Sequence, residues 1–237
     1  MHTWVYRPSG NGPFPLAIIN HGSSSNPRAR LEQTSPRFDR LTMWLVSHGY
    51  AVAIPLRPGH GETGGAYLED YGACDDPDFS RASSAIARSI KAVVDAMMRK
   101  DYIRKTGLVL IGHSAGGWGS LALASQNVAP LSAVINFAGG LGGRSYDLPN
   151  RNCAPDRLAM TAATFGRTTR VPTLWLYAAN DTYFGPELSA TLANAYRQAG
   201  GSVEFHLLPA SKDDGHFLIR SSDAWMPILE KFLATHR

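Results

Sequence analysis

The stretch LVLIGHSAGGWGSLALASQ, residues 108–126, decides how the rest of the chain is read. Its first part, LVLIG (108–112), is a short apolar run of the kind that suits a strand buried on both faces. Its last part, residues 115–126, is rich in Ala and Leu and can start a helix at once. Between them Gly112, His113, Ser114, Ala115 and Gly116 spell G-x-S-x-G. A strand that enters a helix through this pentapeptide must turn sharply. The turn strains the central serine and exposes its hydroxyl, and the flanking glycines remove Cβ atoms that would clash. Ser114 is therefore the candidate nucleophile, with a surface serine in an ordinary loop as the plainer alternative.

Similar runs recur along the chain: PLAIIN (15–20), AVAIPL (51–56), SAVINFA (132–138), TLWLYA (173–178) and VEFHLL (203–208), with a further strand at Trp4 and Val5. Segments of helical period alternate with them at 36–48, 80–100, 186–199 and 224–235. In the first of these, Phe38, Leu41, Leu45 and Val46 share a stripe that stops at Gly49. The alternation predicts an α/β domain with a mostly parallel central sheet and helices on both faces. Two segments break it. Residues 57–79 and 139–170 are long, rich in Gly, Pro and Asp, and each follows a strand. They are expected to be irregular loops at the carboxyl edge of the sheet, where open α/β folds place ligands. With no repeat and no linker, residues 1–237 read as one domain with no large cap.

Composition narrows the function classes. The chain has 237 residues, 44% of them hydrophobic and 18% charged, which suffices for one well-buried globular core. Two cysteines, Cys74 and Cys153, exclude a disulfide scaffold and a Cys-rich metal site, and leave one bridge open. No apolar run approaches the ~20 residues of a membrane span, and residues 1–15 lack the basic-then-apolar order of a signal peptide. The net charge of +4 invites a nucleic-acid partner, but its 18 arginines are scattered and the densest group, Arg28 to Arg40, is interrupted by Glu32 and Asp39. Nucleic acid is not an expected partner. Gly59, Gly61 and Gly64 spell G-x-G-x-x-G after a strand, yet no helical period follows until Ser80, so no dinucleotide would find a helix N-terminus there. Neither a cofactor nor a metal is expected.

A serine hydroxyl needs a base, and the base needs a third group to fix its tautomer. After such a turn the chain order is serine, acid, histidine. Asp181 follows the strand TLWLYA and His216 follows VEFHLL, so both stand at the edge that carries Ser114. Among the other histidines, His206 lies in a strand, His48 at a helix end, and His2 and His236 at the termini. His113 points away on the turn, and His21 and His60 are kept as lining of the pocket. Asp147 and Asp156 lie in an irregular segment, and Asp213 and Asp214 sit too near His216 in sequence to serve as its acid. The oxyanion donors are expected to be the backbone N–H of Ala115 and, after the tight turn at Gly22, that of Ser23.

The order HG-x, GHSAGG, ND with a following aromatic, and GHF resembles the dienelactone hydrolase-like esterase branch of the α/β-hydrolase superfamily, over nearly the whole chain. The resemblance implies the α/β-hydrolase fold, a triad of Ser114, Asp181 and His216, and oxyanion donors at Ser23 and Ala115. Dienelactone hydrolases proper carry cysteine at the nucleophile, so serine here points to ordinary carboxylic esters, hydrolysed through an acyl-serine. Trp118, Tyr183, Phe184 and Tyr146 are expected near the substrate. The 139–170 segment is too polar for an apolar lid, which suggests an open cleft for short-acyl or bulky, even polymeric, esters. A serine peptidase, a thioesterase or an acyltransferase would use the same residues, whereas a non-catalytic relative would lack one of them. Enzymes resembling this one begin with a hairpin before the Trp4 strand, so the start reads as clipped; an export signal could then be missing with the hairpin, and its absence says little about location. Cys74 and Cys153, on the two long loops, could bridge across the rim. A bridge would favour an extracytoplasmic location and free thiols a cytoplasmic one. Oligomeric state is left open.

Overall fold

The computed structural model describes residues 1–128 and 130–236. Within them, β1 (Thr3–Tyr6), β2 (Leu16–Asn20), β3 (Ala51–Pro55), β4 (Leu108–His113), β5 (Leu131–Phe137), β6 (Thr173–Ala178) and β7 (Val203–Leu208) form one sheet. Its order is β1-β3-β2-β4-β5-β6-β7, with β1 antiparallel to β3 and every other pairing parallel. The helices are α1 (Pro27–Leu31), α2 (Asp39–Ser47), α3 (Phe79–Met98), α4 (Ala115–Ala124), α5 (Pro155–Thr168), α6 (Pro186–Gln198) and α7 (Ser222–Thr235).

The apolar strands are explained by what covers them. Side chains alternate across a strand, so Leu16, Ile18, Leu108 and Leu110 face one side with α3, α4, α5 and α6. Ala17, Ile19, Val109 and Ile111 face the other with α2 and α7. Both faces of the central strands are dry, and each wholly buried aliphatic side chain contributes about 1.5–3 kcal/mol of transfer free energy. Among the described residues no helix is long and apolar enough to cross a membrane.

The segment 139–170 departs from the expected irregular loop, because its second half is α5. Pro155 begins the helix, and Leu158, Ala162 and Phe165 recur on one face that packs into the core. Residues 57–79 hold only a single 3₁₀ turn at Gly61–Thr63 before α3, so the three spaced glycines open no helix. Cys74 and Cys153 are joined, their sulfurs 1.98 Å apart.

Candidate active site

Ser114 stands where β4 ends and α4 begins, with φ 53° and ψ −125°. A non-glycine residue held there is strained, and the packing around it keeps it in place. A Cβ on Gly116 would lie 2.3 Å from the Asn20 carbonyl oxygen, so α4 can sit this close to β2 only with glycine. The side chains of α4 are buried along its whole length.

Two other strand ends deliver the partners. His216, in the 3₁₀ turn Gly215–Arg220 beyond β7, brings its Nε2 to 3.0 Å from the Ser114 Oγ. Its Nδ1 lies 3.3 and 3.4 Å from the two carboxylate oxygens of Asp181, just past β6. These partners fix the tautomer: Nδ1–H donates to Asp181 and Nε2 accepts from the serine hydroxyl. Asp181 Oδ1 also accepts from the amides of Tyr183 and Phe184, at 2.7 and 2.9 Å. All three groups are buried, Ser114 to 8% exposure, Asp181 to 2% and His216 to 3%.

Three residues that the sequence did not single out for this task hold His216, the candidate base. His113, read as pointing away, donates from Nε2 to the His216 carbonyl at 2.8 Å. Asp214, discarded as the acid, accepts at Oδ1 from the amides of His216 and Thr182 and at Oδ2 from the Thr182 hydroxyl. Burial alone would raise the Asp214 carboxyl, but those hydrogen bonds outweigh it and hold it below its ordinary value. The ring of Tyr183 stacks on His216 with centroids 4.0 Å apart.

The loop after β2 lies against Ser114: a Cβ on Gly22 would be 3.0 Å from the Ser114 Cβ. The Ser23 amide follows Gly22 in this loop and the Ala115 amide opens α4 directly after Ser114, and among the described residues neither N–H has a protein acceptor. His21 anchors the loop, donating from Nδ1 to the Gly22 carbonyl at 2.6 Å and accepting at Nε2 from the Arg57 amide at 3.0 Å. Burial, then the neighbouring Arg57 charge, hold its pKa well below the ordinary histidine value, so the ring is neutral. Arg57 is itself wholly buried, forked onto Glu69 and bonded to the His21 carbonyl.

The sequence pattern of the Alpha/beta hydrolase family matches residues 19–234. The chain belongs to that family. It is 27% identical over 140 residues to the 2,6-dihydropseudooxynicotine hydrolase of Paenarthrobacter nicotinovorans, 59% of the chain and 32% of the relative. It therefore spans about a third of that relative's length. Est1E from Butyrivibrio proteoclasticus, solved with ferulic acid bound, superposes with a TM-score of 0.63 at 18% identity, covering 98% of this chain and 95% of Est1E. A protein of Klebsiella pneumoniae subsp. pneumoniae assigned as a dienelactone hydrolase gives 0.63 at 17%, covering 96% and 90%. Both likenesses are of fold.

A cleft of about 660 Å³ opens over Ser114. It is lined by Tyr67, Tyr71 and Gly72, by Gly140 to Gly143, by Tyr183, Phe184 and Phe217, and by Arg30, Arg37 and Arg220. Of the residues expected near the substrate, Tyr183 and Phe184 line the cleft, and His21 touches it with a small exposed edge. Trp118 does not: it is wholly buried, edge-on to Phe165 and Trp175 in the core. His60 does not line the cleft either; it is buried behind Ser23. Tyr146 is exposed at 73% and lies outside the cleft.

Proposed function

We propose that this hydrolase is a serine carboxylesterase acting through an acyl-serine intermediate. The observation that carries the reading is the 3.0 Å contact between the Ser114 Oγ and the His216 Nε2 at a strained turn flanked by two free backbone amides. In this reading the Ser114 hydroxyl attacks the ester carbonyl while His216 takes its proton and Asp181 stabilises the imidazolium. The amides of Ser23 and Ala115 hold the oxyanion. His216 then passes its proton to the leaving alcohol, and water, deprotonated by the same ring, releases the acid. The open, partly aromatic cleft supports short-acyl esters and bulky or polymeric ones. The covalent bridge supports work in an oxidising, extracytoplasmic compartment.

Hydrolysis of short-chain nitrophenyl esters by the protein and by Ser114→Ala tests the mechanism. The variant is expected to lose roughly 10⁶-fold in kcat. Equal rates would end the reading. A panel of acyl lengths, feruloyl esters, polyesters, acyl-CoA thioesters and peptides then tests the substrate class, and turnover confined to peptides or thioesters would move it to one of those.

A further inference from the structure

Behind the oxyanion loop lies a chain of polar groups that the hydrolytic mechanism does not use. The Ser23 Oγ is 2.9 Å from the His60 Nε2 and 3.1 Å from the Tyr67 hydroxyl. The His60 Nδ1 lies 3.2 Å from both the Arg57 and the Pro58 carbonyl oxygens. A carbonyl can only accept, so Nδ1 carries the proton. Burial lowers the pKa of His60 against the opposing pull of Glu69, which leaves the ring neutral and Nε2 an acceptor. The Ser23 hydroxyl must then donate to Nε2, and the oxygen left behind accepts from Tyr67. Each proton has one destination. The hydroxyl is committed to the wall of the cleft and is not itself available to an oxyanion.

We infer that His60 and Tyr67 are positioning residues that lock the Ser23 side chain and thereby aim the Ser23 N–H at the developing oxyanion. Tyr67 is held in turn, since the Arg30 guanidinium lies 3.8 Å over its ring and bonds the Ser24 and Ser25 carbonyls. His60 packs edge-on to both His21 and Tyr67, with centroids 4.7 and 5.6 Å away. Residues 21, 22 and 23 are thus each tied directly or through His21 to the segment beyond β3. A donor aimed before the reaction costs no reorganisation during it. The inference rests on the esterase reading, because only an acyl-transfer site has an oxyanion to hold.

The test compares Ser23→Ala, Ser23→Thr, His60→Gln and Tyr67→Phe on nitrophenyl butyrate. A trifluoromethyl ketone, which forms a tetrahedral adduct on the serine, probes the oxyanion, and butyrate probes the ground state. Ser23→Ala and His60→Gln should lower kcat by about tenfold to a hundredfold, and Tyr67→Phe by a smaller factor. KM and butyrate binding should stay within about twofold while ketone binding weakens in step with kcat/KM. Ser23→Thr keeps the hydroxyl and should retain most of the rate. A purely structural role would lower the melting temperature without moving ketone affinity. Wild-type kcat and ketone binding in both Ser23→Ala and Tyr67→Phe would overturn the inference, as would a loss confined to KM; these two variants suffice should His60→Gln not fold. Full activity in Ser114→Ala would instead overturn the esterase reading, so the two failures are distinguishable.

Discussion

The His113 Nε2 donates to the backbone carbonyl of His216 at 2.8 Å, so the residue before the candidate nucleophile holds the loop of the candidate base. Burial, then the neighbouring His216, lower the pKa of His113 to about 3, and its ring is neutral at working pH. His113→Phe keeps the bulk and removes the donor. We expect kcat to fall by about tenfold or more, since a base displaced by an ångström loses its alignment. A melting curve should also record about 1–3 kcal/mol for the unpaired carbonyl. Unchanged kcat would show that the loop is held without it.

Asp181 and Asp214 both sit near His216 but make different contacts, and substitution separates them. Asp181→Asn removes the charge opposite Nδ1 and should cost roughly 10⁴-fold in kcat. Asp214→Asn keeps one acceptor for the His216 and Thr182 amides and should cost only several-fold, with a lower melting temperature. If Asp214→Asn proved the more damaging, the acid role would pass to that residue.

The Cys74–Cys153 bridge closes a sequence separation of 79 residues. Its reduction, or the paired change to serine, should destabilise the protein by about 2–4 kcal/mol. The Cys153 amide donates to the carbonyl of Gly142, which lines the cleft, at 2.9 Å, and Tyr71 and Gly72, which line it too, come just before Cys74. Loss of the bridge should therefore raise KM for bulky esters more than for nitrophenyl acetate. An equal effect on both would separate the bridge from the cleft.

Glu69 neutralises Arg57 in a fully dry place. Glu69→Ala should cost about 3–5 kcal/mol in chemical denaturation because it leaves a buried guanidinium without a counter-charge. The double change Arg57→Met with Glu69→Leu should be milder than the single one. The reverse order would mean that the pair contributes net stability and not only a bond to the His21 carbonyl.

Acid should weaken the fold through its buried histidines. His21, His60 and His113 all have pKa values lowered in the folded state, so the unfolded chain takes up protons first as pH falls. Stability that is complete above the ordinary value of 6.5 is lost below it, and for His113 the loss continues down to about pH 3. At about pH 5 the His113 share is about 2 kcal/mol. His113→Phe should flatten the slope of melting temperature against pH between about pH 7 and 5, and parallel slopes would refute this assignment.

The sheet and the converging ends of β4, β6 and β7 were legible because fully buried parallel strands must be apolar throughout and because the sharp turn at Ser114 demands its glycines. What escaped depends on three-dimensional context. Trp118 lies four residues from Ser114, but one helical turn carries it into the core against Phe165 and Trp175. The period Leu158, Ala162, Phe165 announced α5, yet the glycine- and proline-rich lead-in concealed it. Asp214 was weighed only as a partner for the His216 ring, whereas it binds that residue's backbone amide. His60 was assigned to the substrate and instead serves Ser23. For His60 the residue type was right for polar work, and the partner lay in a segment distant in sequence.

The enclosure of α4 on every side has a consequence for how the molecule wears out. Its amides should exchange with solvent only when the whole fold opens, whereas the surface segments that wall the cleft can open locally. Nicking and slow damage will then begin at those walls. An ageing preparation should lose its grip on substrate before it loses the candidate nucleophile Ser114, so titration of that serine would still count molecules that no longer turn over efficiently.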